Sequence, residues 1–432
     1  MLMVSTDASP SPALSFVHFL AGLGGMLAAA LLLAWEPTAT LTRWHPATLA
    51  AVHLFALAGL MPVMLGALFQ FVPVACGLSL PGFGAGEWLL LTALEAGAGG
   101  LATGFLRGDT MLLAGGGTLA LCALSLAGGR LAWALWQQRL SAELVSTLRR
   151  SALALATTLL LAALLLGVMS LGGSLPFMVL VDWHAQWGIA GWVGGLIAAV
   201  AGVVVPMFHV TAHYPKQWTL ALRALPALLA ASGLGMLLGV TWFSGIAVVF
   251  LALLVAGFGG LTARLVNAAR RGEKDAFHYG WLGVAAIALL LAPLGLLAYF
   301  SPDPRWAFAF GVVALAGLGG VTVSVMLYRI VPFLIWLHWQ RANKARAKLP
   351  LLHQIIAERA QRFQLGTEAL AVTLLATAAF IPDLSLPAAT LLAMTKLGQI
   401  VLLARAMADF RQRLRVLRSL PARVPKPAPS RE

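Results

Sequence analysis

Three long apolar runs in this 432-residue chain end on Val-Pro, and they recur at nearly constant spacing: Pro73, Pro206 and Pro332 lie 133 and 126 residues apart. The first run reads His53-Leu-Phe-Ala-Leu-Ala-Gly, continues past Gly66 and ends on Phe71-Val72-Pro73. The second reads His184-Ala-Gln-Trp-Gly, continues past Gly191 and ends on Val205-Pro206-Met207-Phe208. The third keeps Gly317 and Gly320 before Ile330-Val331-Pro332-Phe333. In the first two a histidine precedes the proline by 20 and 22 residues. At ~1.5 Å per helical residue that is roughly 30–33 Å, one hydrocarbon thickness. Each run therefore reads as one membrane-crossing helix with a polar residue near its start. The third has Phe310, Gly311 and Val312 where the histidine would stand. A recurrence this long predicts three similar units of four helices each.

Composition agrees with that frame. Hydrophobic residues are 60% of the chain and charged ones 10%, against about 25% charged in soluble domains. Apolar stretches of spanning length lie near 13–35, 47–76, 87–106, 110–129, 151–172, 176–208, 218–238, 241–263, 279–300, 306–338, 365–382 and 386–406. Lipid offers no partner to unpaired backbone groups, so these stretches are expected to be helices. The alternating ten-residue segments of a membrane barrel are absent. The expectation is an all-α membrane protein of twelve transmembrane helices. It has a short N-terminus (1–12), one membrane domain (13–406) with repeats near 13–136, 151–268 and 279–406, and a basic tail (407–432), disordered after 421.

The charge pattern predicts an orientation. Arg130, Arg139, Arg149, Arg150, Arg264, Arg270, Arg271, Lys274 and the basic residues of 341–362 all fall on even-numbered connections, and the tail is basic too. The opposite connections hold little beyond Arg43, Arg107, Arg305 and the acids Asp182, Asp303 and Asp383. Both termini are then cytoplasmic, in a bacterial inner membrane. The net charge of +14 reads as this bias and not as a nucleic-acid surface. Segment 340–363 reads as an amphipathic surface helix laying Leu349, Leu351, Leu352, Ile355 and Ile356 on the bilayer, where anionic lipid is an expected partner. The first apolar run lacks the basic start of a signal peptide and is kept in the mature chain. Cys76 and Cys122 sit at or within spans, which rules out a disulfide framework.

Few residues could carry chemistry. Six of the nine histidines fall at the cytoplasmic ends of helices. Among these, His209 and His213 have the i,i+4 spacing that suits a metal, although His213-Tyr214-Pro215 is already leaving the helix. His53 and His184 each stand about eight residues past a helix start, ~12 Å in from the periplasmic surface. An imidazole at that depth needs a hydrogen-bond partner, water or a metal. Glu95 and Lys396 fall near midplane, where a lone charge costs ~2.5–3.5 kcal/mol. They could be neutral, paired with each other, hydrated as a proton path, or simply packed among small residues. Met61 and Met64 offer thioethers that suit copper(I), or they fill gaps in the bundle. No catalytic triad, phosphate loop or dinucleotide fingerprint is present.

The second span, His53-LFALAGLMPVMLGALFQFVPV, resembles the second helix of heme–copper oxidase subunit I. That helix carries an axial-ligand histidine, then Met-Pro, a Gly-Gly or Gly-Ala step and a terminal Phe-Val-Pro; here these are His53, Met61-Pro62, Gly66-Ala67 and Phe71-Val72-Pro73. The resemblance implies twelve helices in three pseudo-threefold-related arcs of four. It implies a heme ligand at His53, with heme b as the cofactor, and a copper-site histidine at His184, to which Met61 and Met64 are candidate additions. It also implies a redox protein or other membrane subunits as partners. The chain departs from the family where oxygen chemistry is done. Gly188 stands where a tyrosine would, and 234–244 and 304–314 contain no histidine. The resemblance thus points to a ligand-poor relative without oxygen-reductase activity, similar to the NnrS group of membrane proteins linked to nitrosative stress. Such a protein would serve sensing, metal handling or respiratory accessory work. A cofactor-free transporter or channel is the competing expectation, because helical repeats also build transporters.

Overall fold

A computed structural model describes residues 11–78, 84, 86–137, 143–269, 274–343 and 347–419. Residues 1–10, the tail beyond 419, and Arg139, Arg270 and Arg271 lie outside the described residues. Twelve long helices follow one another among them: α1 (Pro12–Trp35), α2 (Pro46–Cys76), α3 (Gly86–Arg107), α4 (Thr110–Trp136), α5 (Glu143–Leu171), α6 (Phe177–His209), α7 (Lys216–Leu237), α8 (Thr241–Asn267), α9 (Ala276–Phe300), α10 (Arg305–Ala342), α11 (Glu358–Thr377) and α12 (Ser385–Ser419). All except α11 are long and apolar enough to cross a membrane. Helix α11 begins with Glu358, Arg359 and Arg362, and this polar first half sets it apart from the others. Large apolar side chains such as Phe250, Leu253, Leu160 and Met394 stand exposed on the outer helices, a surface only lipid solvates well. The chain is a multi-pass membrane protein.

Three helices form the middle of the bundle. The windows of α2, α6 and α10 are the most buried of the spans, and the centre of α10 touches the centres of both α2 and α6. Each of the three passes from α- to π-helical bonding in midcourse, over Leu54–Leu60, Trp187–Gly194 and Val313–Val321. Leu54 to Pro73, Trp187 to Pro206 and Val313 to Pro332 are 19 residues each, so the wide turn sits at one offset in all three. A π turn leaves carbonyls displaced from the regular ladder, and α1 approaches where they emerge. A Cβ on Gly25 would stand 2.2 Å from the Ala58 oxygen, and one on Gly22 2.5 Å from the Gly59 oxygen. Only glycine allows that approach. The outer helices pack as sequential hairpins, and α1 also packs on α12, which brings the two ends of the chain together.

Two expectations about elements change. Helix α10 stops at Ala342, and the described part of 340–363 then runs without α-helix until Glu358, apart from one 3-10 turn at Leu352–Gln354. Pro350 disfavours helix at the residue before it. The apolar side chains turn inward: Ile356 is buried in the core and Leu349 and Ile355 pack against it, while Leu351 alone is largely exposed. Its described residues between the two helices form a strap packed on the protein where an amphipathic helix was expected. Helix α7 is broken between Leu222 and Leu225, where Pro226 follows at the start of the second piece.

Candidate functional site: an imidazole-lined cavity

The central helices and their neighbours line a half-open cavity of about 880 Å³. Its walls are mostly apolar, with Phe55, Met61, Phe105, Trp192 and Phe310 among them, and Arg43, Trp44 and Asp182 also border it. Arg43 donates to Asp182 at 2.5 Å, each side chain about one-third exposed, and its guanidinium lies over the Trp44 ring, 4.6 Å from the centroid. The space therefore has a charged rim and a greasy interior.

Both deep histidines line it. His53 ends the α-helical part of α2 before its π turn. Its Nδ1 lies 2.7 Å from the Leu49 carbonyl oxygen, and its ring lies 5.1 Å from that of Phe105. His184 projects from α6 and reaches across to α5, with Nδ1 3.1 Å from the Thr158 oxygen. A carbonyl only accepts, so each Nδ1 carries the proton and each Nε2 keeps its lone pair. Neither Nε2 has a hydrogen-bond partner among the described residues. Phe310 and Gly311 of α10 also border the cavity, so the third helix supplies a phenyl ring and bare backbone where the others supply imidazole. Gln186, one turn from Trp183 on α6, adds a buried side-chain oxygen with no partner among the described residues.

The other expected residues separate. Met61 borders the cavity, but its sulfur accepts from Trp192 Nε1 at 2.9 Å. Met64 is buried elsewhere in the core. No three His, Cys, Asp or Glu side chains converge among the described residues. Glu95 has a buried carboxylate oxygen without a partner among the described residues and does not meet Lys396. Lys396 is fully buried and pairs instead with Glu368 of α11 at 2.5 Å. Glu368 is the residue that reasoning from sequence passed over; a carboxylate in the midst of Leu365–Leu375, opposite a lysine on the next helix, was the available signal. His209 faces His278 of α9, with ring centroids 5.9 Å apart, and α6 ends before His213.

No family model and no curated protein matches this chain.

Proposed function

We propose that this chain is an integral protein of a bacterial inner membrane, with both termini cytoplasmic, that holds heme b in the central cavity through His53. One observation carries the reading. Two imidazoles from two central helices present free Nε2 atoms to one apolar cavity, each held in its tautomer by a backbone carbonyl behind it. Carbonyl-oriented histidine is the usual arrangement of a metal ligand, and neutral imidazole is the common proximal donor to heme iron. The cavity is of the size of small-molecule and cofactor sites, ~300–1,000 Å³, and Arg43 at its rim suits carboxylates on an otherwise apolar ligand. Copper is the poorer fit, because the thioether of Met61 is engaged and a third donor does not join the histidines. His53 is the iron ligand in this reading, with Phe105 packed on its ring, and His184 is a polar contact for the bound group or a ligand of a second metal. Bound heme would supply reversible electron or diatomic-gas chemistry. The shared π turns and Val-Pro ends of α2, α6 and α10 support the oxidase-like, pseudo-threefold arrangement, and the missing histidine on α10 supports a role other than oxygen reduction.

The competing reading is a transporter for an apolar small molecule with an anionic end. It is favoured by the same charged rim, and by the many helices that contribute to the lining. Absorption spectra of purified protein separate the two. Heme binding gives a Soret band that falls at least about tenfold in His53→Ala (the loss of the sole strong ligand) and persists in His18→Ala. Protein that carries no Soret band after reconstitution with heme, or that loads equally with and without His53, overturns the heme assignment.

A further inference from the structure

At the other end of α6 from the charged rim, α6 and α9 bring a second pair of imidazoles together. His209 is the last residue of α6, and His278 stands in the first turn of α9. Both are buried, at 3% and 5% exposure, and their ring centroids lie 5.9 Å apart. Neither borders the central cavity. His209 Nδ1 donates to the Val205 carbonyl oxygen at 3.2 Å, so its Nε2 keeps the lone pair. Its ring is stacked on that of Phe277, with 5.1 Å between centroids. His278 is held through its backbone, whose amide donates to Asp275 Oδ1 at 3.0 Å, and its ring meets the Tyr279 ring edge-on at 5.4 Å. The Nε2 atoms of both histidines are shut off from solvent and have no hydrogen-bond partner among the described residues.

Two rings fixed in this way are spaced for a shared ion. At ~2.0 Å per metal–nitrogen bond, one ion between two imidazoles holds their centroids roughly 5–6.5 Å apart. We propose that His209 and His278 bind one copper(I) ion between their Nε2 atoms. The donor count selects the metal. Imidazole suits copper, and the monovalent ion is satisfied by two donors in a near-linear array, whereas zinc asks for three or four protein ligands. No third His, Cys, Asp or Glu joins the pair among the described residues. Asp275, three residues before His278, is committed to Arg329 at 2.8 Å and to the His278 amide. Charge points the same way. With no carboxylate to neutralise it, one positive charge is cheaper to bury than two. Arg329 sharpens that preference, because its guanidinium lies 4.4 Å from the centre of the Phe277 ring on which His209 stacks. The Val205 carbonyl behind His209 is the usual support of a ligating imidazole. Both rings bind as neutral donors, so no electron moves on loading. The i,i+4 spacing of His209 and His213 marks this place in the sequence but names the wrong partner: α6 ends at His209, and the second imidazole comes from α9. The site is independent of the heme reading.

Copper(I), supplied anaerobically as its bicinchoninate complex to the full-length protein in detergent, tests the site. One equivalent should transfer to the protein, and X-ray absorption of the singly loaded sample should show two-coordinate copper(I) with imidazole scattering. His209→Ala and His278→Ala should each lose that equivalent. Their combination should lose nothing further, and His213→Ala should retain it. His209→Phe keeps a ring on Phe277 and removes the donor, so it reports the same loss should His209→Ala fail to fold. Transfer that survives either single substitution, losses that add in the double variant, or a loaded ion with three or more donors overturns the proposal.

Discussion

Lys396 ends a four-carbon stem inside a membrane bundle with no exposed surface at all, so its environment has to supply what water would. It does so with Glu368 and Ser324. Removing one partner of such a pair strands the other, at about 3–5 kcal/mol, while replacing both with apolar residues of similar volume is often neutral. Lys396→Met alone should therefore lower unfolding stability in detergent toward the small end of that range, since a stranded carboxyl can neutralise itself. Glu368→Leu alone should cost more, and the double variant should recover most of the loss. A double-mutant cycle by chemical denaturation checks this; additive losses would show that the two residues do not act as a pair. The same contrast explains what was legible at this scale. The position of Lys396 and of His53 along their helices follows from counting residues. Which carboxylate meets Lys396 depends on how α11 is rotated against α12, and Gln364 and Glu368 reveal that only once the helices are packed.

Among the elements, the ends of α2 and α6 show one device built from two residues. Four residues past each central proline the chain turns into the left-handed region, at Gly77 with φ 65° and at Val210 with φ 55°. In both, the amide of the turning residue bonds the proline carbonyl. Glycine takes that conformation freely, and its place after Cys76 marks a helix end in the sequence. Valine pays about 1–2 kcal/mol there, and nothing in the sequence Phe208-His209-Val210-Thr211 announces the turn. Val210→Gly should raise stability by about 1 kcal/mol, the αL penalty less glycine's own entropy cost. Thermal unfolding of the two proteins measures it, and a lower midpoint for the glycine variant would show that Val210 contributes packing that outweighs its strain. Val210 is well exposed, which argues against such packing. Elsewhere the apolar stretches lay largely within helices. Yet α5 begins eight residues before its stretch, and α12 continues to Ser419 through the basic residues expected to form the tail, because a helix can run on past the apolar span that hydropathy detects. Segment 340–363 departed further, because its apolar residues had two surfaces to choose between, and periodicity cannot distinguish lipid from protein.

For the molecule as a whole, the three π turns fix more than local width. A helix that changes its bonding from i+4 to i+5 accommodates a residue that a regular α-helix would not, and each residue corresponds to ~100° of rotation about the axis. The halves of α2 on either side of Leu54–Leu60 are thus held out of phase with the helix that the same length of chain would otherwise form. Everything near the His53 end is aimed by that offset. Excising Ala56 should let α-helical bonding run through, keep the Val-Pro half seated, and swing His53 by about 100°, away from Phe105 and the cavity. The protein would fold with nearly unchanged helix content by circular dichroism and lose whatever His53 binds. Loss of the fold itself would mean that the wide turn is needed for packing against Gly22 and Gly25. The direction in which His53 points is then stored as a single surplus residue in the turn that follows it.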